Sequence, residues 1–206
     1  YWSQNLFPSI SQTSAQKAEM SALEVCAVGL ALIYVLLAIQ QLRACWIAAI
    51  ASAALYIVIF WQVQLYLEAA LQIFYIAMSV YGWAAWRPNE AQSVAAIRTW
   101  ALPYHGAVCF AVLLASMALG SVMDSLTDAA SPYVDAATTV SALLATWMVA
   151  QRLLENWLYW IAIDLASVGL YLSRDLKLTA GLFAAYVVLA GLGYHTWRRQ
   201  WCQQSA

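Results

Sequence analysis

Charge is what this chain has least of. Only 9% of its residues are Asp, Glu, Lys or Arg, against about 25% in a soluble domain. With 65% hydrophobic residues it cannot present a surface to water, so an ordinary soluble domain is excluded. Its net charge of −1 leaves no basic field of the kind nucleic acid needs. The four cysteines, Cys26, Cys45, Cys109 and Cys202, are widely separated. Three of them lie inside apolar runs, where a thiol acts as a small packing group, and none has metal-ligand spacing. His105 and His195 likewise lack a metal-spaced partner, which argues against a haem anchored by two histidines. No serine elbow, phosphate-binding glycine loop or HExxH occurs. No cofactor and no enzyme chemistry are expected.

What the chain does have is long apolar runs. About 20 apolar residues carry a helix across the hydrocarbon, and seven stretches qualify: 22–41, 44–61, 65–86, 102–123, 132–151, 157–172 and 179–197. The runs are continuous rather than alternating, which selects helices over barrel strands. The first 21 residues are polar and mixed, and lack the charged start and apolar core of a signal peptide. Trp2, Leu6, Phe7 and Ile10 suit a segment lying in the interface, and a frayed terminus suits the composition equally well.

The runs also repeat. Cys45-Trp46 through Trp86-Arg87 aligns without a gap on Asn156-Trp157 through Trp197-Arg198, at a constant offset of 111 (157 − 46). The register pairs Trp46 with Trp157, Leu65 with Leu176, Tyr75 with Tyr186, Gly82 with Gly193 and Trp86 with Trp197. Helices one and five are separated by an even number of crossings, so they point the same way. The expected fold is therefore an all-α integral membrane protein. Two parallel three-helix repeats (22–87 and 132–199) are joined by a linker bearing a single helix (88–131), a 3+1+3, SWEET-like arrangement. Residues 1–21 and 200–206 are left as terminal segments.

Arginine and lysine orient it. Arg43, Arg87, Arg98, Arg152, Arg198 and Arg199 fall on one side, and Lys17, Arg174 and Lys177 on the other. The larger set marks the cytoplasm, which puts the N-terminus outside and the C-terminus inside. Trp86, Trp100, Trp157, Trp197 and Trp201 sit near span ends, as in an aromatic belt.

Polar groups within spans are costly unless they face protein or a solute. Glu24 and Asp135 are repeat mates and suit helix N-termini. Gln62 and Gln64 flank the second turn. Glu68, Gln72 and Tyr75 share a face of the third helix, and an uncharged amide suits amide or hydroxyl recognition. The densest group is Arg152, Glu155, Asn156, Trp157, Trp160 and Asp164. Trp157, Trp160 and Asp164 follow i, i+3, i+7. Indole rings beside an amide and a carboxylate make a pocket for a flat, polar, cationic ring. A hydrogen bond from Asp164 to Thr138, Thr139 or Ser141 is the structural alternative. The candidate binding residues are thus Gln62, Gln72, Tyr75, Asn156, Trp157, Trp160 and Asp164. Truncating Trp157 should weaken binding by about 1–3 kcal/mol.

At these residues the chain resembles the PnuC-type nicotinamide riboside transporters. The matching stretches are Gln62-Val63-Gln64-Leu65-Tyr66, Leu71-Gln72-Ile73-Phe74, Tyr81-Gly82-Trp83-Ala84-Ala85-Trp86, Tyr133-Val134-Asp135 and Glu155-Asn156-Trp157-Leu158-Tyr159-Trp160. The resemblance runs from about Leu23 to Trp197. It implies a multi-pass protein of the bacterial inner membrane, a homotrimer, that takes up nicotinamide riboside by facilitated diffusion. Cytoplasmic phosphorylation would trap the substrate, so no ion coupling is needed. Cys45 departs from the pattern, which suits asparagine there, and Asp164 stands where some members carry asparagine. Another vitamin or a small sugar carried on the same fold is the nearest alternative. A membrane-embedded enzyme is a more distant one, and would need paired catalytic groups at one depth.

Overall fold

With no water in hydrocarbon, a backbone must satisfy its own hydrogen bonds, and these apolar runs do so as helices. The computed structural model describes residues 10–62, 66–87, 96–126, 131–173 and 177–204. Among them are seven helices: α1 (Ile10–Ile39), α2 (Cys45–Gln62), α3 (Tyr66–Ala85), α4 (Leu102–Leu126), α5 (Pro132–Ala150), α6 (Asn156–Ser173) and α7 (Lys177–Gln204). Four carry windows long and apolar enough to cross a membrane: Ala22–Ile39, Cys45–Gln62, Leu102–Leu126 and Pro132–Ala150. The apolar part of α3, Ala69–Ala85, is shorter. In α6 the polar Asn156, Asp164 and Ser167 are themselves buried, so its lower hydropathy reflects its inward face. Large apolar side chains such as Ile33, Ile47, Val58, Phe110, Leu165 and Val188 point outward, as hydrocarbon requires.

The helices match the expected spans closely except at the two ends of the chain. α1 starts at Ile10, because the polar stretch after it is rich in strong helix formers (Gln, Ala, Lys, Glu, Met). Glu24 therefore sits well inside a helix and cannot cap one, whereas Asp135 does lie in the first turn of α5. α7 continues past Trp197 to Gln204, since no Gly or Pro stops it. Trp2, Leu6, Phe7, Gln64, Arg174 and the side chain of Glu68 lie outside the described residues.

The turns after α1 and α5 are built alike, residue for residue. Gln41 and Arg152, 111 apart (152 − 41), are the two non-glycine residues with positive φ among the described residues, at 55° and 53°. Around each, two bonds close a Schellman motif. Gln41 N donates to Ala38 O and Leu42 N to Leu37 O, both at 3.0 Å; Arg152 N donates to Val149 O at 2.9 Å and Leu153 N to Met148 O at 3.0 Å. A left-handed non-glycine residue costs about 1 kcal/mol, and neighbouring contacts hold each in place. Gln41 bonds Gln200 of α7 through its side chain. The Arg152 guanidinium lies 4.7 Å over the Trp86 ring, and burial holds its pKa below the ordinary arginine range.

Tryptophans lock this end of the bundle, again in pairs. Trp46 packs on Gly82, and Trp157 on Gly193. Each meets a further indole edge-on: Trp46 with Trp86 (5.3 Å, 81°) and Trp157 with Trp197 (5.5 Å, 89°). Trp86 Nε1 donates to Ala150 O at the end of α5 (3.0 Å). Trp197 Nε1 donates to Ala38 O and Ile39 O at the end of α1 (3.2 and 3.1 Å). Trp86, Trp157 and Trp197 are buried, not disposed in a membrane-interface belt: the indole N–H groups of Trp86 and Trp197 satisfy helix-end carbonyls of the other segment. A Cβ on Gly82 would fall 2.4 Å from Trp46, and one on Gly193 2.6 Å from Trp157. Gly82→Ala and Gly193→Ala are each expected to destabilise by about 1–3 kcal/mol, read as a lower unfolding midpoint in detergent.

The strand-like segment before α4 docks on the turn after α5. Arg98 N donates to Arg152 O (3.0 Å) and Leu154 N to Arg98 O (2.9 Å). Trp100 N donates to Glu155 Oε1 at 3.1 Å. His105 of α4 then approaches Tyr159 Oη (3.0 Å) and Glu155 Oε1 (4.0 Å). The histidine is thus tied into a polar cluster that its position in the chain did not suggest.

Candidate functional site

α1 packs against α2 and α7, and α5 against α3, α4 and α6, so α1 and α5 bring the two three-helix segments together. Two cavities of about 210 Å³ each lie along this junction. The first borders α1, α5, α6 and α7. Its walls include Tyr34, Trp157, Trp160, Asp164, Phe183 and Tyr186. The second borders α1, α2, α3, α5 and α6. Its walls include Tyr34, Trp46, Ser52, Gln72, Tyr75, Thr146 and Trp160.

The two cavities are related by the offset of 111 (157 − 46). Trp46 answers Trp157, Ala49 answers Trp160, Ala53 answers Asp164, Gln72 answers Phe183, Tyr75 answers Tyr186 and Ser79 answers Ala190. Their chemistry differs. Where the α2–α3 side presents alanine, alanine and an amide, the α6–α7 side presents an indole, a carboxylate and a phenyl ring. Both cavities have aromatic walls; the first adds the Asp164 carboxyl, and the second adds the Gln72 amide and the Ser52, Ser79 and Thr146 hydroxyls.

Several polar groups on these walls are uncommitted. Ser52, Ser79 and Thr146 spend their hydroxyl protons on the carbonyls of Ala27, Tyr75 and Ala142 (2.9, 2.7 and 2.8 Å), leaving oxygen lone pairs. The side chains of Gln72, Tyr75, Trp160 and Asp164 make no hydrogen bond among the described residues. Asp164 is only 5% exposed, borders the cavity, and takes no bond from Thr138, Thr139 or Ser141, Thr138 donating instead to Val134 O and Asp135 O. An unpaired carboxylate buried at the middle of a helix is costly unless something neutralises it.

Of the residues singled out from sequence, Gln72, Tyr75, Trp157, Trp160 and Asp164 border the cavities. Gln62 is exposed at the end of α2, on neither wall. Asn156 is fully buried at the start of α6, where its Nδ2 donates to Leu153 O (2.5 Å), and it borders neither cavity. Trp157 shows the cavity little, since its ring is committed to Gly193 and Trp197. Tyr34, Phe183 and Tyr186 are wall residues that the motifs did not mark. The repeat register would have reached Phe183 from Gln72 and Tyr186 from Tyr75. A further space of about 410 Å³ opens between α4, α5 and α6, around Ser116 and Tyr159, away from the junction of the segments.

Largely apolar cavities with a few polar side chains, set inside a bundle of membrane-capable helices, define a class: a polytopic membrane protein shaped to hold a small solute within its helices. The chain belongs to the nicotinamide mononucleotide transporter family, whose profile matches residues 21–199. It is 30% identical over 146 residues to the nicotinamide riboside transporter PnuC of Escherichia coli (strain K12), covering 58% of this chain and 61% of that one. It is 24% identical over 136 residues to the riboflavin/roseoflavin transporter RibM of Streptomyces davaonensis, covering 63% of each. The chain thus matches about three-fifths of the length of these curated relatives. The crystal structure of the vitamin B3 transporter PnuC superposes with a TM-score of 0.71 at 19% identity, over 89% of this chain and 83% of that one, and so shares its fold.

Proposed function

We propose that this protein is a facilitated-diffusion carrier for nicotinamide riboside. In this reading two parallel three-helix repeats, α1–α3 and α5–α7, are joined by α4 in a 3+1+3, SWEET-like arrangement, and rock about a shared site. The copy working in the cell is a homotrimer in the bacterial cytoplasmic membrane, with its N-terminus outside. What carries the reading is the pair of offset-related, aromatic-walled cavities meeting at the junction of the segments, one adding a carboxyl group and the other amide and hydroxyl groups. Nicotinamide riboside has the same two characters: a flat pyridinium and a ribose. The pyridinium suits Trp160 and Asp164, where a desolvated cation–π contact is worth about 1–2 kcal/mol. The ribose hydroxyls suit Gln72, Tyr75 and the serine and threonine oxygens.

The family is described by the mononucleotide and its E. coli member by the riboside, and the cavity chemistry favours the riboside. Neither cavity is bordered by Lys or Arg. A phosphate would sit unpaired near Asp164, at a cost of several kcal/mol. Riboflavin, the solute in the name of the Streptomyces relative, has an uncharged ring and would leave the carboxylate unmatched.

Proteoliposomes holding the purified protein should take up labelled nicotinamide riboside saturably, to the same concentration inside as outside, without an imposed ion gradient. Nicotinamide mononucleotide should enter at least about a hundredfold more slowly, the factor that follows from roughly 3 kcal/mol. Equal rates for riboside and mononucleotide would refute the assignment.

A further inference from the structure

Among the described residues, only Ala31, Tyr34 and Trp160 border both cavities. Tyr34 comes from α1 and Trp160 from α6, so each segment contributes one large ring to the place where the cavities meet. Both rings break the repeat: the mates of Tyr34 and Trp160 at the offset of 111 (145 − 34) are Ala145 and Ala49. Trp160 makes no aromatic contact and no hydrogen bond among the described residues. Tyr34 touches one ring, Trp46, at 6.0 Å and 50°, and its hydroxyl makes no hydrogen bond among the described residues. The two rings border the same space without being in ring contact with each other.

We infer that Tyr34 is the second plate of the solute's ring slot, holding a planar cationic heterocycle against Trp160 with one aromatic from each segment. This rests on the function proposed above and adds to it a binding residue on α1. A slot built this way closes fully only when both segments approach the same ring, so occupancy and approach of the segments are linked. A tyrosine that merely packed on Trp46 would need no cationic ring and would not distinguish a charged ligand from a neutral one.

Calorimetry on purified protein tests this, with nicotinamide riboside and its uncharged isostere benzamide riboside as probes. Wild type that fails to bind nicotinamide riboside would refute the proposed function and leave nothing for Tyr34 to hold. Given wild-type binding, Tyr34→Leu is expected to lower riboside affinity about tenfold, from the lost cation–π contact. Tyr34→Phe should stay within about threefold of wild type on the same footing. Benzamide riboside affinity should change by less than about threefold in either variant, since an uncharged ring forms no cation–π contact. Fluorinated phenylalanines placed at position 34 keep the shape while draining the ring's electron density, so riboside affinity should fall stepwise even if Tyr34→Leu does not fold. Affinity unchanged across the fluorinated series would overturn the inference. So would a loss in Tyr34→Phe equal to that in Tyr34→Leu, which would assign the contact to the hydroxyl.

Discussion

Trp157→Ala is expected to cost the fold more than the ligand. Trp157 is 3% exposed, lies on Gly193, and meets Trp197 edge-on at 5.5 Å. Trp197 in turn bonds the end of α1. Removing the indole opens a void at the point where the segments are locked, and Trp→Ala in such a place costs about 3–5 kcal/mol. That is a large part of the 5–15 kcal/mol typical of a folded domain. The variant should elute as aggregate, or unfold well below wild type in detergent. Trp160→Ala, by contrast, removes a ring with no ring partner among the described residues. It should keep its unfolding midpoint within about 3 °C while losing about tenfold in riboside affinity. A well-folded Trp157→Ala protein with weakened binding would return Trp157 to the role of a stacking plate, as its position beside Trp160 in the sequence suggests.

Asp164→Asn should move stability and binding in opposite directions. The carboxylate is buried, borders the cavity and has no partner among the described residues. Neutralising it removes a desolvation cost and should raise the unfolding midpoint of the empty protein. It also removes the one acidic side chain among the cavity-lining residues. Riboside affinity should then fall about ten- to a hundredfold, the range for losing a charge-assisted contact of roughly 1.5–3 kcal/mol. Uptake assays and thermal unfolding on the same preparation check both arms. Destabilisation together with unchanged uptake would make Asp164 a structural residue.

The seven helices were legible because the apolar runs are continuous. Trp46 with Gly82, and Trp157 with Gly193, are close contacts that tolerate little change, and the offset of 111 (157 − 46) between them shows in the letters. Their role was not legible. A tryptophan near a span end reads as a belt residue, and only the direction of its ring reveals that Trp86 and Trp197 cap the helix ends of the opposite segment. Gln62 and Asn156 illustrate the same limit: residue type and depth suggested a solute, while the fold leaves one exposed and the other bonded within its own turn. Tyr34 carried no signal at all. It lies in an ordinary apolar run and its repeat mate is alanine. The His105, Glu155 and Tyr159 cluster joins residues some 50 positions apart, which no spacing rule connects.

Arg87 and Arg198 are repeat mates, 111 apart (198 − 87), and both are exposed just beyond their tryptophan locks. Single cysteines at these positions, in a background with Cys26, Cys109 and Cys202 replaced, can be probed with a membrane-impermeant maleimide on intact cells and on inside-out vesicles. Like-facing segments require both positions to react in the inside-out vesicles and neither in intact cells. Reaction of one from each side would mean that the segments run antiparallel, and would contradict a carrier built from two parallel repeats.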